Sequence, residues 1–298
     1  MGATAMSATL KILSCGPAVS LQDLGRPGHI AEGLTRGGAM DPAALHEAAA
    51  LLGQPLTAAL EMTGMGGSFE ATADLAIALT GAPMQASLDG TPLRWHASHA
   101  MPKGARLDIG GVRNGAIGYL SVAGGFDTPL QMGSRSAQIS AGLGRALAPG
   151  DVLPVARGKA GRTGFGLTPD NRFEGGTIRM VRSLQSGLYG EDMLAAFTAT
   201  TFTRDTRANR QGIRMTPPEG ASFLAQGGLT VVSEIIAPGD IQVTGDGAPF
   251  VLMREHQTTG GYPRIGTVLP CDMPRVAQAP LGAQIRFELL SFEDAVAA

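Results

Sequence analysis

Two segments of the chain gather the residue types that chemistry needs. The first runs Leu21-Gln22-Asp23-Leu24-Gly25-Arg26-Pro27-Gly28 and continues to Gly37-Gly38-Ala39-Met40-Asp41. It sets a carboxylate and a guanidinium on a glycine-rich loop, and a guanidinium can clamp a planar carboxylate or carbamate through two parallel bonds. The plainer reading is an Asp–Arg pair that pins the loop. The second segment runs Glu255-His256-Gln257-Thr258-Thr259-Gly260-Gly261-Tyr262-Pro263-Arg264. It packs amide, hydroxyl and guanidinium donors around a Gly-Gly pair. Such donors suit an amide or an oxyanion. The alternative is a polar hairpin whose side chains satisfy its own backbone.

Other chemistries lack their residues. A phosphate-cradling loop needs G-x-x-x-x-G-K-[ST], and the nearest approach, Gly158-Lys159-Ala160, lacks the leading glycine and the hydroxyl. Gly64-Met65-Gly66-Gly67-Ser68-Phe69 lacks the third glycine of a dinucleotide fingerprint. No G-x-S-x-G elbow is present. The lysines Lys11, Lys103 and Lys159 have no flanking methionines of the kind a biotin carrier shows. This chain alone is therefore expected to bind neither ATP nor biotin. His96 and His99 have a spacing that would suit metal on a helix, but they sit beside Trp95 in a strand-and-turn region with no acidic third ligand. They read as ordinary hydrogen-bonded histidines, and no metal is expected.

The elements that must position the two segments are mostly strands. Across 298 residues, 43 glycines and 19 prolines cut the chain into short apolar runs, the pattern of a β-rich fold. Strands are expected at 75–80, 84–88, 93–95, 116–123, 229–236, 250–253, 265–269 and 284–290, with Asp89-Gly90 as a tight turn. A helix is expected after Asp41, capped by that side chain, entered through Pro42 and left through Gly53; Leu45, Ala48, Ala49 and Leu52 share one face. Shorter helices are expected at 191–197 and after Ser291, where Ser291 and Asp294 have capping-box spacing. The phrase Ala-Pro-Gly-Asp occurs at 148–151 and again at 237–240, each time before a strand. It hints at two similar β modules, with a boundary in the glycine-rich stretch 158–176: an N-terminal module over 1–175 and a C-terminal barrel module over 176–298.

The formal net charge is −2 and there is no Lys/Arg block, so nucleic acid is not an expected partner. Charged residues make up 16%, against about 25% in an average soluble domain, which fits a large buried interface or simply a large core. Cys15 and Cys271 stand far apart, as suits a reducing compartment. The start of the chain does not read as a signal peptide, and no run approaches the ~18 apolar residues of a membrane span. A cytoplasmic location away from membranes is expected.

At these residues the chain resembles the biotin-dependent carboxyltransferase subunit family, also known as allophanate hydrolase subunit 2 or KipA. The resemblance lies in Gln22-Asp23-Leu24-Gly25-Arg26-Pro27-Gly28, Gly38-Ala39-Met40-Asp41, Leu79-Thr80-Gly81-Ala82, the run from Gly118 to Gly125 and Gly133-Ser134-Arg135-Ser136. It continues in Gly144-Arg145 with Gly150-Asp151, in Ser233-Glu234 with Gly239-Asp240-Ile241-Gln242, and in Gln257-Thr258-Thr259-Gly260-Gly261-Tyr262-Pro263. It implies a mainly β fold of cyclophilin-like barrel architecture and a partner chain of the subunit 1 or KipI type, the B-type chain of 5-oxoprolinase. One branch, the C-type chain of 5-oxoprolinase, works with a third subunit to open a lactam at the expense of ATP. Another is the carboxyltransferase module of urea carboxylase, served by carboxybiotin. In either, ATP or carboxybiotin would come through partner subunits. A regulatory chain that only binds a KipI-type partner is a third possibility.

Arg264 stands where the family pattern has lysine, Ala49 follows Ala48 where asparagine is usual, and Ala137 follows Ser136 where threonine is usual. Arginine keeps its proton, so a proton-transfer role at 264 is not expected. The expected assignment is a component like the C-type chain of 5-oxoprolinase, acting on a small amide or lactam. Asp23, Arg26, Arg264 and Asp272 are the candidate catalytic residues. The two arginines would bind carboxylate or carbamate, and Asp23 or Asp272 would orient an amide N–H or act as base. Gln22, Gln257, Thr258, Thr259, Gly261 and Tyr262 are the candidate substrate-binding residues. The two polar loops are expected to act together.

Overall fold

The computed structural model describes residues 8–156, 161–226 and 231–297. Gly158, Lys159 and Ala160, the first residues of the expected strand at 229–236 and the first seven residues of the chain lie outside these ranges. The chain forms two compact units. One comprises Met1–Arg26 and Gly37–Asn171, the other Pro27–Arg36 and Arg172–Ala298. The sequence places a single boundary at 175/176; the main division falls at 171/172, and the short segment 27–36 groups with the second unit. Nothing in the local composition of 27–36 marks that excursion.

The first unit stacks two antiparallel sheets. One orders its strands Val152–Pro154, Thr9–Cys15, Met65–Ala71, Arg106–Val112, Met84–Leu88 and Thr91–Pro92; the other orders Ser20–Gln22, Ala59–Thr63, Ile117–Val122, Leu75–Gly81 and Ala97–Met101. A shared core joins them, with Leu10, Ile12, Phe69, Leu107 and Ile109 from the first sheet and Leu60, Met62, Ile77, Leu79 and Leu120 from the second. Strand Ile117–Val122 is buried along its whole length, Ser121 included, which explains its largely apolar sequence. Helix Pro42–Leu52 forms as its punctuation demands. The Asp41 carboxylate accepts from the Ala44 N–H, and Gly53 closes the helix at φ 67°. Its buried face is Ala44, Leu45, Ala48, Leu51 and Leu52, with Ala49 only half-buried at the edge.

Asp89 and Gly90 both take positive φ, 47° and 80°, and pair Leu88 with Thr91. The expected strand at 93–95 is absent. Trp95 instead turns inward, its indole N–H shared between the Thr80 and Gly81 carbonyls at 3.2 and 3.1 Å, and the backbone bends at His96, φ 52°.

The second unit is a closed barrel of seven strands: Gly176–Val181, Arg264–Val268, Asp240–Val243, Pro249–Leu252, Gly212–Thr216, Thr201–Ala208 and Gln284–Leu289. An odd number of strands cannot alternate direction all the way round. The one parallel pair is Gly176–Val181 with Gln284–Leu289, and every other neighbour is antiparallel. Phe197, from helix Gly190–Ala199, packs with Phe202, Phe223 and Phe287 at centroid distances of 5.0 to 5.3 Å. Helix Phe292–Ala297 starts at the expected box, with the Asp294 N–H on Ser291 Oγ. Helix Met273–Gln278 is an addition to the sequence reading. Among the described residues no helix is long and apolar enough to cross a membrane.

The repeated Ala-Pro-Gly-Asp phrase makes the same turn in each unit. Asp151 N–H donates to Ala148 O and Asp240 N–H to Ala237 O, both at 3.1 Å, with Gly150 at φ 93° and Gly239 at φ 95°. In each, the aspartate side chain reaches back to the N–H of the alanine, at 2.8 and 2.9 Å, and also binds an arginine, Arg145 in one and Arg264 in the other.

Candidate functional site

In the first unit, Asp23 follows strand Ser20–Gln22 and enters the glycine-rich loop. Its Oδ1 accepts from Gly25 N–H at 2.8 Å, Ser134 Oγ at 2.6 Å and Ser136 Oγ at 2.5 Å, and its Oδ2 from Arg135 N–H at 2.7 Å. Burial alone would raise this carboxyl; the two serine hydroxyls and two backbone N–H groups outweigh it and hold Asp23 below the ordinary carboxylate value. Asp23 is thus a fixed anion. A lowered pKa makes it a poor proton acceptor, so the geometry favours hydrogen-bond acceptance over the general-base role weighed from sequence. Gly38 lets the second strand of the loop lie against it. At φ 88°, a Cβ there would come within 2.7 to 2.9 Å of the backbone of Asp23, Leu24 and Gly25.

Arg26 is placed differently from the expected substrate clamp. Only 1% of it is exposed, and its guanidinium donates to Ser136 O at 2.5 Å, Gln138 Oε1 at 3.0 Å and Gln131 O at 3.3 Å. The fork holds the 131–138 segment in place. Gln22 is also buried, its amide on Ser20 Oγ and Ala137 O, both at 3.0 Å. Both residues therefore shape the loop from inside. The surface they support is a cleft of about 400 Å³ lined by Asp23, Leu24, Leu45, Leu56, Thr57, Leu130 and Arg135, among others.

In the second unit, Arg264 is buried and donates to Glu234 at 2.7 Å, Asp240 at 3.1 Å, Ile235 O at 3.2 Å and Gln185 Oε1 at 3.3 Å. The acceptors that this segment lacks locally in sequence come from 24 to 79 residues away in the chain. Arg264 is an internal tie rather than a free anion clamp. Asp272 is likewise committed. Burial would raise its carboxyl, but Arg179, bonded at 2.6 and 2.9 Å through its guanidinium and at 2.8 Å through its N–H, brings it below the ordinary value. That pairing occupies three of the carboxylate's lone-pair sites and holds it as an anion, which makes it a poor base.

Gln257, Thr259 and Tyr262 are exposed, Thr258 and Gly261 half-buried, on the arm that pairs Thr259–Gly260 with Glu234–Ile235. His256 next to them is pushed down by burial. His96 and His99 each bind a backbone carbonyl, of Gly81 and Arg94, at 2.8 and 2.7 Å. No group of three metal-ligating side chains occurs among the described residues.

Sequence reading missed the residues that do the positioning. Ser134 and Ser136 lie 111 and 113 residues beyond Asp23, and Glu61 holds the 40–41 backbone by accepting from Met40 N–H at 2.8 Å and the Tyr119 hydroxyl at 2.7 Å. The Tyr119 hydroxyl itself accepts from Asp41 N–H at 2.9 Å. Burial, with the charges of Glu61 and Asp41, pushes the Tyr119 phenol far up, so it stays a neutral donor. The one signal available was that Gly133-Ser134-Arg135-Ser136 and the run containing Tyr119 both belong to the family phrases.

Fold and site define a mainly β chain that joins a two-sheet unit to a seven-stranded barrel and carries a small-molecule-sized cleft beside a fixed carboxylate. The chain belongs to the family described as carboxyltransferase domain, subdomain A and B, whose model matches residues 32–289. It is 36% identical over 297 residues to the C-type chain of 5-oxoprolinase from Escherichia coli (strain K12), covering 97% of this chain and 94% of that one. It is 31% identical to the corresponding 5-oxoprolinase chain of Haemophilus influenzae, at 96% and 93% coverage. Urea amidolyase of Saccharomyces cerevisiae is 26% identical over 95% of this chain, which spans only 17% of that protein. Among solved structures, TTHA0988 superposes with a TM-score of 0.86 at 28% identity, over 97% of this chain and 57% of that one. The urea carboxylase of Kluyveromyces lactis shares the fold, with a TM-score of 0.85 at 23% identity.

Proposed function

We propose that this chain is the C-type subunit of an ATP-dependent 5-oxoprolinase, which opens the lactam of 5-oxoproline to glutamate. The observation that carries the reading is the end-to-end match with the C-type 5-oxoprolinase chains of two organisms, which this chain covers at 94% and 93%. The match takes in nearly the whole of those relatives, whereas the urea amidolyase match takes in 17% of that protein. In this reading ATP is used by a partner, a KipI-like B-type chain pairs with this one, and a third subunit completes the complex. The fixed carboxylate of Asp23 beside its cleft supports recognition of an amide N–H here.

The test is reconstitution. The three subunits from the source organism, purified together, should convert 5-oxoproline to glutamate with ATP consumption, and omission of this chain should abolish it. A second reading, a carboxyltransferase subunit acting on urea or another amide, is supported by the family's description and by the urea amidolyase match, which is lower in identity. A complex that consumes no 5-oxoproline but carboxylates urea in the presence of a biotinylated carrier would replace the first reading by the second.

A further inference from the structure

The cleft of the first unit holds a second charged side chain that the family phrases contain but no role explains. Arg135 lines it together with Asp23, in a cavity whose walls also include Leu24, Leu45, Leu56 and Leu130. About 400 Å³ falls within the range of sites for small molecules. The Arg135 backbone N–H is fixed on Asp23 Oδ2, so backbone and carboxylate cannot drift apart. Its side chain is far less committed. Nη2 meets Asp127 at 3.2 Å, an aspartate 62% exposed, and such pairs are weak. Nε is buried with no hydrogen-bond partner at all. The side chain is 29% exposed and lines the cleft, so its guanidinium can take an acceptor bound there.

The carboxylate side is complementary. Asp23 Oδ1 already accepts three donors, while Oδ2 accepts one, which leaves Oδ2 room for another. The turn that walls this side of the cleft is tight and strained. Gln131 and Ser134 exchange backbone bonds at 2.8 and 3.2 Å, with Met132 at φ 51° and Gly133 at φ 80°. A non-glycine residue in that conformation is a cost that structures retain mainly where a loop must be held in one shape.

We propose that this cleft binds a small amide acid, with Arg135 taking the carboxylate and Asp23 Oδ2 accepting the amide N–H, while the leucines cover the hydrocarbon part. The choice of 5-oxoproline as that acid rests on the function proposed above; the cleft's preference for an acid with an N–H donor does not. Arg135 is then the residue that separates a lactam acid from a neutral lactam.

The test uses the full-length chain with methyl-labelled leucines, titrated with 5-oxoproline and with 2-pyrrolidinone, the same ring without the carboxylate. Methyl signals of Leu24, Leu45, Leu56 and Leu130 should shift saturably with 5-oxoproline. Arg135→Gln should weaken that binding at least tenfold and leave the weaker 2-pyrrolidinone binding unchanged. Asp23→Asn should weaken both, and Arg135→Lys should restore part of the acid binding. Leu56→Trp, which fills the cleft without touching either charge, should abolish both. Thermal melts establish that each variant is folded. Absence of 5-oxoproline binding, shifts confined to other leucines, or equal affinity in wild type and Arg135→Gln would overturn the proposal. Turnover by the reconstituted complex that is unaffected by Leu56→Trp would overturn the cleft and leave the subunit function standing. Binding in the cleft by a chain whose complex does not turn over 5-oxoproline would do the reverse.

Discussion

Asp23 and Arg26 stand three residues apart on one loop and do opposite work. Asp23 lines a cleft, and Arg26 lies behind it with its guanidinium on two backbone carbonyls and the Gln138 amide. Truncation of Arg26 removes its charge-assisted bonds to the Ser136 carbonyl and the Gln138 amide inside the loop, so Arg26→Ala should lower stability by about 3 kcal/mol, read as a shift in the urea midpoint. Arg26→Lys should recover little of it, because a single ammonium cannot reach three diverging acceptors. Unchanged stability in Arg26→Ala would show that the fork is dispensable. Asp23 gives a pH signature of a definite sign. Its folded value is lowered, so its contribution is fully present above the unfolded value, about 3.9 for a free aspartate, and is lost as pH falls through the folded value. Stability measured against pH should therefore fall on acidification below about pH 4, and Asp23→Asn should remove part of that slope. An identical acid limb in the variant would count against the serine-held carboxylate. The sequence made Asp23 and Arg26 legible as a pair worth notice, because a carboxylate and a guanidinium among glycines are unusual. It did not separate ligand-facing from inward-facing. That distinction depends on Ser134, Ser136 and Gln138, more than 110 residues away in the chain.

Elements were legible where punctuation and burial agreed. Helix Pro42–Leu52 carries its own cap, entry proline and exit glycine, so local chemistry alone defines it. Strand Ile117–Val122 is buried throughout and is apolar but for Ser121. Strands Met65–Ala71 and Thr201–Ala208 were invisible for opposite reasons. The first carries Gly66 and Gly67 because neighbouring chain crowds it: a Cβ on Gly67 would approach Ser14 O to 2.2 Å. The second is polar because a barrel wall has a solvent face, and only Phe202 in it is fully buried. The Ala-Pro-Gly-Asp turns were read correctly from four residues, and they allow a comparison. Gly150 and Gly239 share the same positive φ, but a Cβ at 150 meets nothing within 4 Å, whereas at 239 it would lie 2.9 Å from Val268 O. Gly150→Ala should therefore cost only the left-handed backbone penalty, about 1–2 kcal/mol. Gly239→Ala should cost more, since it must also displace a strand whose Val268 N–H bonds to Gly239 O at 2.8 Å. Equal losses in thermal melts of the two variants would mean that the barrel yields at this point.

At the scale of the whole molecule, the division into units is the feature that one-dimensional reading captured least, because the segment 27–36 joins a unit from which it is separated by more than 130 residues. Composition showed a β-rich chain with few helices; it could not show a closed barrel, which depends on pairing Gly176–Val181 with Gln284–Leu289 across the full length of the unit. Closure has a physical consequence. All seven strands fall between Gly176 and Leu289, every one has two neighbours, and the core of Phe197, Phe202, Phe223 and Phe287 is supplied within the same span. A barrel with no open edge and its own apolar core meets the requirements for independent folding. Residues 172–298 expressed alone should therefore give a β-type circular dichroism spectrum and one cooperative urea transition, seen at the same midpoint by circular dichroism and by fluorescence of the unit's two tyrosines. Addition of residues 27–36 as a peptide should raise that midpoint if the segment contributes to the unit, in proportion to its concentration over its dissociation constant. A fragment that is soluble but lacks a cooperative transition, with or without the peptide, would show that the barrel does not fold on its own strands and core.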